Sequence, residues 1–408
     1  MEKKMKPTFL EKNCLALVHR QLQTIKKGSL TLTLPNQEQR TYGHSSATDP
    51  QHLHVHHYRF FTQLVFAGNI GLGESYTESD WDTPNLPHLL ALFIHNMNDL
   101  KKSGLTHAWI KRRLHQLSHA INRNTKTGSR RNIQAHYDLG NDFYQLFLDA
   151  ETLLYSSALF ESPHQSLGDA QRAKIQNLIR LAGIKAHHHI LEVGCGWGGF
   201  AIEAARTTGC KVTGLTISQA QYDLATQRIQ EAELTEQIDI QLCDYRDAQG
   251  TYDRIVSIEM LEAVGHAYYG TYFSTLDRLL KPGGRIALQV ITIPDQRYDA
   301  YRQNPDWIQK HIFPGGILPS LTELSKAMTK DSMLHIDHIE NIGIHYAETL
   351  RRWRTACERQ SEKLEQMGYD QPFQRKWIYY LAYCEAGFQT EFINDLHMIL
   401  KRPAEDPC

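Results

Sequence analysis

The chain has 408 residues, of which 41% are hydrophobic, and its 44 Lys and Arg residues nearly balance its 45 Asp and Glu residues. The near-zero net charge argues against a dedicated nucleic-acid binder, and the apolar content argues against disorder over most of the length. The seven cysteines form no C-x-x-C pair, which argues against a disulfide scaffold and a structural zinc site. No apolar run reaches 18 residues, which argues against a membrane span. Together these features favour a soluble cytoplasmic protein.

The first 125 residues are predicted to form a small N-terminal domain of short strands and helices. Residues 27–43 alternate apolar and polar side chains about a Pro-Asn turn, which is the pattern of a β-hairpin. Residues 58–66 and 87–97 have the apolar spacing of helices, and the Gly-rich, acidic segment 69–86 lies between them.

A basic segment, residues 101–131, follows this domain and contains nine Lys or Arg residues and no Asp or Glu. Its apolar side chains fall roughly on one helical face: Trp109, Ile110, Leu114, Leu117 and Ile121. An amphipathic helix with a basic flank suits the anionic surface of a phospholipid bilayer. A helix packed on a protein core, or a solvated linker, would show the same pattern, so all three interpretations stay open here.

From residue 165 onward the sequence alternates between strand-like and helical runs. The strand-like runs are apolar and β-branched and fall at 187–196, 211–218, 238–245, 252–260 and 283–293. Helical patterns separate them, and this alternation predicts an α/β fold with a mostly parallel, doubly wound sheet and helices on both faces. After about residue 295 the sequence is mostly helical and aromatic.

A glycine-rich turn follows the first strand of this region. Glu192 ends the strand, and Gly194, Gly196 and Gly198 follow before a helix begins. Glycines let the backbone turn sharply and approach a ligand closely. An acidic residue two places before the first glycine resembles motif I of class I S-adenosylmethionine (SAM) methyltransferases, in which the turn accommodates the amino-acid part of SAM and the helix N-terminus favours its carboxylate.

The same resemblance places further SAM contacts at the ends of the next two strands and ahead of the glycine turn. Thr216, Ser218, Gln219 and Gln221 would lie near the ribose, Asp244 would accept from the adenine amine, and Tyr245 would pack on the adenine ring. Tyr155 and Ser156 complete the set implied by the resemblance. These are the expected cofactor-binding residues.

A narrower resemblance comes from several motifs that occur together. They are residues 134–144, Tyr155-Ser156-Ser157, LEVGCGWGG (191–199), GLTISQAQ (214–221), residues 244–247, SIEMLEAVG (257–265), residues 312–320 and HYAETL (345–350). The chain is similar in these motifs to cyclopropane-fatty-acyl-phospholipid synthases and mycolic-acid methyltransferases, over about residues 20–395. The resemblance implies a Rossmann-like class I methyltransferase domain (126–408) with a helical substrate cover, and a small α+β domain (1–125) for lipid docking or dimer contact.

What the resemblance implies is transfer of a carbon from SAM to the cis double bond of an unsaturated phospholipid chain, giving a cyclopropane ring. An alkene has no proton to lose before it attacks, so the rate depends on alignment and on stabilising a carbocation. Aromatic faces can do this by cation–π attraction. Among the aromatic residues of these motifs, Tyr346 is the expected contributor.

Ring closure requires a base, and the family uses a bound bicarbonate ion. The resemblance assigns bicarbonate contacts to Glu262, Tyr346 and the backbone of Ile291. Ser157 and Gln289 stand where the family has Cys and His, and both can still donate hydrogen bonds to an anion. The change leaves alternatives open: a methyl- or methylene-branched product, direct action of Glu262 as the base, or a catalytically silent lipid-binding relative.

Other expectations concern the remaining candidates and partners. Cys384 matches a cysteine once regarded as an active-site residue of the family and is retained as a candidate, although the chemistry has no step for a thiol and a core position fits it better. The histidine clusters at 52–57 and 187–189 are expected on the surface, without metal. We expect peripheral association with the inner face of the membrane and, from the family, a homodimer. Methylation of a small molecule is the second enzymatic alternative.

Overall fold

The computed structural model describes residues 6–44, 49–102 and 139–404. The chain divides into two compact units. The first comprises the described residues up to 102 with Gln303–Ile312 and Arg354–Phe392, and the second comprises residues 139–302, Phe313–Trp353 and the described residues from 393 onward. Most of the basic segment, the predicted boundary at 125 and residues 134–138 of the first motif lie outside the described residues.

Helices and strands follow one another along the whole described chain. The first described stretch contains α1 (Phe9–Leu22), β1 (Ser29–Thr33), β2 (Gln39–Gly43), β3 (Gln51–Val55), α2 (Arg59–Thr77), β4 (Trp81–Asp82), α3 (Leu86–His95) and α4 (Met97–Lys102). Then come α5 (Asn141–Gln145), α6 (Leu167–Ala182), β5 (His189–Val193), α7 (Gly199–Thr208), β6 (Lys211–Thr216), α8 (Gln219–Glu231), β7 (Ile238–Leu242), β8 (Tyr252–Ile258), α9 (Tyr269–Leu279) and β9 (Leu280–Thr292). The last are α10 (Asp295–Gln303), α11 (Trp307–His311), α12 (Leu321–Asp331), β10 (His335–Asn341), α13 (Gly343–Arg359), α14 (Ser361–Gln366), α15 (Gln371–Gln389) and β11 (Asn394–Lys401).

The first unit is built around a small sheet with the strand order β2-β1-β3-β4. The predicted hairpin is confirmed: β1 and β2 pair antiparallel, from Ser29 opposite Gly43 to Thr33 opposite Gln39. Strand β3 lies parallel to β1 on the other side. Leu30 and Leu32 of β1 are fully buried, so one face of the hairpin forms part of the core of this unit.

Helix α2 extends farther than its sequence predicts, through the Gly-rich segment to Thr77. The helix is kinked at Gly68, whose φ of 58° is left-handed. A Cβ at Gly73 would lie 2.4 Å from the indole Nε1 of Trp307 and 2.6 Å from the ring of Tyr379. The glycines therefore permit close packing inside a helix, a tertiary effect that overrides their poor helix propensity.

The division between the units differs from the predicted one, in which all residues after 125 belong to the catalytic domain. Helix α15 packs on α2 and α3 in the first unit. Arg375 of α15 fixes this packing by donating to the carbonyl oxygens of Tyr76 (2.7 Å) and Trp81 (3.0 Å). The hydrophobic pattern of α15 indicates a buried helix but does not indicate on which unit it packs.

The second unit confirms the predicted α/β fold. Its seven strands have the order β10-β11-β9-β8-β5-β6-β7, and the five strands from β9 to β7 are parallel. Strand β11 pairs antiparallel with β9, and β10 pairs antiparallel with β11 at the edge of the sheet. In such a sheet, ligands bind beyond the carboxyl ends of the parallel strands. None of the described helices combines the length and apolar character needed to cross a bilayer.

Candidate active site

The glycine turn follows β5 at the carboxyl edge of the sheet. Gly194, Gly196 and Gly198 have left-handed φ values of 83°, 52° and 79°. The backbone N–H groups of Gly194 and Cys195 both donate to the carbonyl oxygen of Leu215 at the end of β6, at 3.0 and 2.9 Å. A Cβ at Gly196 would meet no atom of the described residues within 4 Å, apart from its chain neighbours. Among the described residues the turn therefore leaves room in front of α7, which fits the amino-acid part of SAM.

Glu192, at the end of β5, contacts the first turn of the helix that follows the glycine turn. Its side chain is buried, and burial raises the pKa of the carboxyl group well above the ordinary value. The charge of Lys174 and the backbone N–H of Ala201, which donates to the carboxyl group, act to lower this pKa. Ala201 lies in the first turn of α7. Glu192 is thus positioned to hold the helix N-terminus against β5, while its Oε2 is buried without a hydrogen-bond partner among the described residues.

The predicted ribose contacts lie between β6 and α8. Thr216 Oγ1 donates to Gln221 Oε1 at 2.8 Å, and Ser218 caps α8 by accepting the backbone N–H of Gln221 at 3.4 Å. These three side chains are buried at the site edge of the sheet. The amide of Gln219 instead donates to Asp223 at 2.7 Å on the exposed side of the helix.

The predicted adenine contacts lie beyond β7. Both carboxylate oxygens of Asp244 accept from the guanidinium of Arg246, at 2.8 and 2.6 Å. The same guanidinium lies over the ring of Tyr245, 5.5 Å from its centroid, and Tyr245 packs edge-on against Tyr272. Arg246, which the sequence analysis did not select, therefore orients both residues. Their contact with adenine stays a prediction.

A row of aromatic rings, here called the aromatic wall, connects the glycine turn with Tyr346. Its neighbouring rings have centroids 5.2 to 6.1 Å apart, in the order Trp197, Tyr144, Tyr155, Trp353 and Tyr346. Tyr155 thus belongs to this wall. Ser156, next to it, turns the other way and accepts a hydrogen bond at 2.7 Å from the buried Nζ of Lys174. An aromatic wall beside a sulfonium donor can stabilise positive charge on a substrate.

The polar centre of the site is the carboxylate of Glu259, a residue that the sequence analysis missed. Its Oε1 accepts from the backbone N–H of Ser157 and from the amide of Gln289, both at 2.8 Å. Its Oε2 accepts from the hydroxyl of Tyr346 at 2.7 Å. Ser157, Gln289 and Tyr346, three of the predicted bicarbonate contacts, are therefore brought together as expected, but around a side chain of the protein itself.

Glu262 and Ile291 form a second pair of expected residues. The backbone N–H of Ile291 donates to Glu262 Oε1, whereas Glu262 Oε2 is buried and has no hydrogen-bond partner among the described residues. Burial, reinforced by the negative charge of Glu259, raises the pKa of Glu262 to about 8. Glu262 is therefore expected to be mostly protonated at neutral pH.

Two buried ionisable residues that the sequence analysis did not select complete the cluster. Asp395 Oδ2 accepts from the amide of Gln289 at 2.9 Å, and burial together with Glu259 raises the pKa of Asp395 well above its ordinary value. Burial lowers the pKa of Lys174 to about 8, although the charges of Glu259, Asp395 and Glu192 act to raise it. The two acidic residues of SIEMLE (257–262), at the end of a predicted strand, were the available sequence signal for Glu259. No sequence signal connects Glu259 with Asp395.

Cys384 lies in the first unit, on α15, whereas the glycine turn and the carboxyl cluster lie in the second unit. Burial raises the pKa of its thiol far above the ordinary value, so the reactive thiolate is strongly disfavoured. This charge state fits the core position expected for Cys384, and its inclusion among the catalytic candidates stays a prediction.

The glycine turn and the carboxyl cluster are neighbours in space. A Cβ at Gly194 would lie 2.9 Å from Cγ of Met260, which stands between Glu259 and Glu262 in the chain. The backbone N–H of Glu259 donates to the carbonyl oxygen of Gln289 at 2.8 Å, which fixes the end of β8 against β9. One side chain thus separates the turn expected to hold SAM from the groups expected to act on the substrate.

Comparison with known proteins is consistent with this geometry. Residues 124–398 match the family described as mycolic acid cyclopropane synthetase. Tuberculostearic acid methyltransferase UfaA1 of Mycobacterium tuberculosis is 39% identical over 334 residues, which are 80% of this chain and 77% of that protein. Cyclopropane-fatty-acyl-phospholipid synthase of Escherichia coli is 31% identical over 370 residues, 88% and 89% of the two chains. The crystal structure of mycolic acid cyclopropane synthase CmaA1 with SAH and CTAB has a TM-score of 0.62 and 30% identity, covering 67% of this chain and 98% of that one.

Proposed function

The chain belongs to the mycolic acid cyclopropane synthetase family, and from this premise we propose that it adds a carbon from SAM to the cis double bond of an unsaturated acyl chain in a phospholipid. It is a SAM-dependent methyltransferase that modifies fatty acids. The observation that carries the proposal is the short separation, through Met260, between the glycine turn and the carboxyl cluster. A methyl donor in the turn would then lie next to groups that can resolve a cation.

SAM supplies an electrophilic methyl group on a sulfonium ion. The glycine turn and the N-terminus of α7 would orient its amino-acid part, with Thr216, Gln221, Asp244 and Tyr245 as the proposed contacts along the strand ends. The double bond gives its electron pair to the methyl carbon as the carbon–sulfur bond breaks, and a positive charge remains on the neighbouring chain carbon. The faces of the aromatic wall would stabilise that charge without competing as nucleophiles.

Two products can follow from this cation by loss of one proton. If the transferred methyl group loses the proton and its electron pair closes a carbon–carbon bond, the product is a cyclopropane ring. If a hydride first shifts from the methyl-bearing carbon to the cationic carbon, loss of a proton from the methyl group gives a methylene branch. Both products add one carbon and two hydrogens to the chain.

We propose the branched product first, because the relative that is 39% identical is named for methyl transfer, whereas the relative named for cyclopropane formation on phospholipids is 31% identical. Cyclopropane formation, which the motifs of the sequence predict, is the second candidate. The phospholipid substrate itself is supported by the Escherichia coli relative, which matches 88% of this chain. Docking on the bilayer through the basic segment 101–131 and homodimer formation belong to the same proposal.

Mass spectrometry of phospholipids from a host that expresses the protein tests this function. We expect unsaturated chains to gain about 14 mass units, with label when the methyl group of SAM is labelled. Catalytic hydrogenation then separates the products, because an exocyclic methylene takes up hydrogen much more readily than a ring. An unchanged lipid profile, with the protein folded and able to bind SAM, would contradict the proposed function.

A further inference from the structure

We propose that Glu259 takes the place of the bicarbonate ion, so that the base of this enzyme is a carboxylate of its own chain. This proposal rests on the proposed function and identifies the group that removes the proton from the methylated chain. It also assigns a catalytic role to a residue for which neither the motifs nor the comparisons indicate one.

The hydrogen-bond donors expected to bind bicarbonate are already used by the protein. The hydroxyl of Ser157 donates to the carbonyl oxygen of Ala158. The backbone N–H of Ser157 and the side-chain amide of Gln289 donate to one oxygen of Glu259, and the hydroxyl of Tyr346 donates to the other. A bicarbonate ion presents two such oxygens and would need the same three donors. The remaining predicted contact, the backbone N–H of Ile291, donates to Glu262. The residues present therefore do not fit an added bicarbonate, and they fit the carboxylate that already lies among them.

The backbone of Glu259 is held in a conformation that side chains other than glycine rarely adopt. Its φ is 49°, in the left-handed region, at the end of a strand and not in a simple turn. Such a conformation persists only where the surroundings enforce it, and it is found at functional sites. Here the backbone N–H is bonded to Gln289, and the carboxylate is bonded to donors from three separate segments. This arrangement inserts the carboxylate into the cluster of donors.

Glu259 also remains reachable. The donors Ser157 and Gln289 are buried, as are Asp395 and Lys174, whereas Glu259, like Glu262, is a partly accessible residue. A base has to contact the proton that it removes, and geometry comes before acidity in that requirement. Among the carboxyl groups near Lys174, which also include the buried Glu192, Glu259 therefore combines hydrogen-bonded placement with access.

The groups that face Glu259 favour its function as a base. Lys174 on α6 and Tyr346 on α13 stabilise its ionised form, while burial raises its pKa. Burial raises the pKa of Glu262 to about 8 and that of Asp395 well above its ordinary value. Burial also lowers the pKa of His397, beyond Gln289, to about 3, so that its ring is neutral. A carboxylate whose pKa lies above its usual range accepts a proton more readily.

The step balances within the substrate and this residue. The C–H bond of the transferred methyl group breaks, and its electron pair forms either the ring bond or, after the hydride shift, the carbon–carbon double bond of the branch. The proton goes to Glu259, which becomes a neutral acid and later returns the proton to solvent. No oxidant, reductant or added anion takes part.

The test measures labelled-methyl transfer from SAM to vesicles of phospholipid with cis-unsaturated chains, in buffer freed of carbon dioxide and then with added bicarbonate. We expect the wild-type rate to change less than twofold. Glu259→Gln keeps the shape and loses the base, so the rate should fall at least 100-fold while SAM affinity is retained. Glu231→Gln, at the exposed end of α8, is the matched control and should behave as the wild type.

The variant Glu259→Gly should, unlike the wild type, respond to added bicarbonate. Glycine relaxes the left-handed backbone and leaves three donors around an empty space, so added bicarbonate should raise the rate of this variant at least tenfold. A wild-type enzyme that requires bicarbonate, or a Glu259→Gln variant that retains its rate, would overturn this proposal while leaving the proposed function intact. Absence of transfer by the wild type with and without bicarbonate would instead overturn the proposed function, and this proposal with it. The wild-type comparison needs no variant, so a folding defect cannot obscure it.

Discussion

Replacing Glu262 by glutamine should make the protein more resistant to unfolding at alkaline pH. The pKa of Glu262 is raised to about 8, so at pH 7 about nine-tenths of the folded molecules carry the proton on this group. Glutamine reproduces that neutral form, because its amide oxygen can still accept from the backbone N–H of Ile291. The two proteins should therefore differ at every pH at which the wild-type glutamate is ionised in the unfolded chain, which begins near pH 4.5.

The sign and size of the effect follow from proton linkage. Below about pH 4.5 the carboxyl group is protonated in both the folded and the unfolded wild type, and its ionisation contributes nothing. Between about pH 4.5 and 8 the unfolded chain releases the proton while the folded protein keeps it, so the free energy of unfolding falls as the pH rises. The full shift corresponds to about 5 kcal/mol, and partial accessibility of the residue reduces this to on the order of 1–3 kcal/mol.

Thermal or urea unfolding from pH 5 to pH 9 measures this difference. The free energy of unfolding of Glu262→Gln should approach that of the wild type at pH 5 and exceed it by on the order of 1–3 kcal/mol at pH 8 to 9. Glu231→Gln, an exposed substitution of the same chemistry, should follow the wild type throughout. A difference for Glu262→Gln that does not change with pH would show that Glu262 titrates near its usual value in the folded protein, and the reasoning about its environment would be refuted.

Three further predictions concern the glycine turn and the cluster. Gly194→Ala combines a left-handed φ of 83° with a Cβ contact of 2.9 Å, so calorimetry should show SAM affinity reduced about 10- to 100-fold. In the control Gly183→Ala, φ is 65° and the added Cβ meets no described residue within 4 Å, so this variant should lose about 1 kcal/mol of stability and keep SAM affinity. Tyr346→Phe removes the 2.7 Å donor to Glu259, so the pKa of that carboxylate should rise and the acidic limb of the pH–rate profile should move to higher pH; an unmoved limb would contradict this contact. Lys174→Met leaves a carboxylate without its buried cation and should lower the free energy of urea unfolding at pH 7 by about 3–5 kcal/mol. A loss below about 1 kcal/mol would show that Glu259, Asp395 and Glu192 are already neutral.

The parts of the structure that depend on local pattern could be predicted from the sequence. The hairpin of β1 and β2 and the alternating strands and helices after residue 165 have the expected spacing, and the glycine turn lies at the end of its strand. Ser157, Gln289 and Tyr346 lie together as the resemblance implies.

The parts that depend on tertiary packing could not be predicted. Helix α2 continues through glycines that a helical pattern alone would exclude, because Gly73 faces two large aromatic rings. Asp395 reaches the cluster from a strand that pairs antiparallel with β9, more than a hundred residues after Glu259. Glu259 lies within the predicted strand-like run 252–260, and the sequence pattern does not indicate its left-handed backbone or the contacts of its carboxylate with Ser157 and Tyr346.

The charges of the cluster explain how a carboxylate can remain ionised next to an apolar substrate. Lys174 is fully buried and interacts with the charges of Glu259, Asp395 and Glu192. One buried ammonium ion offsets one carboxylate, and every further ionised carboxylate would carry a desolvation penalty of several kcal/mol. Hydrogen bonding decides which group takes the charge, because three donors converge on Glu259. On the proposed assignment of Glu259 as the base, the negative charge of the cluster is placed on a partly accessible residue, and a carbocation formed beside it meets a base instead of a diffuse field of negative charge.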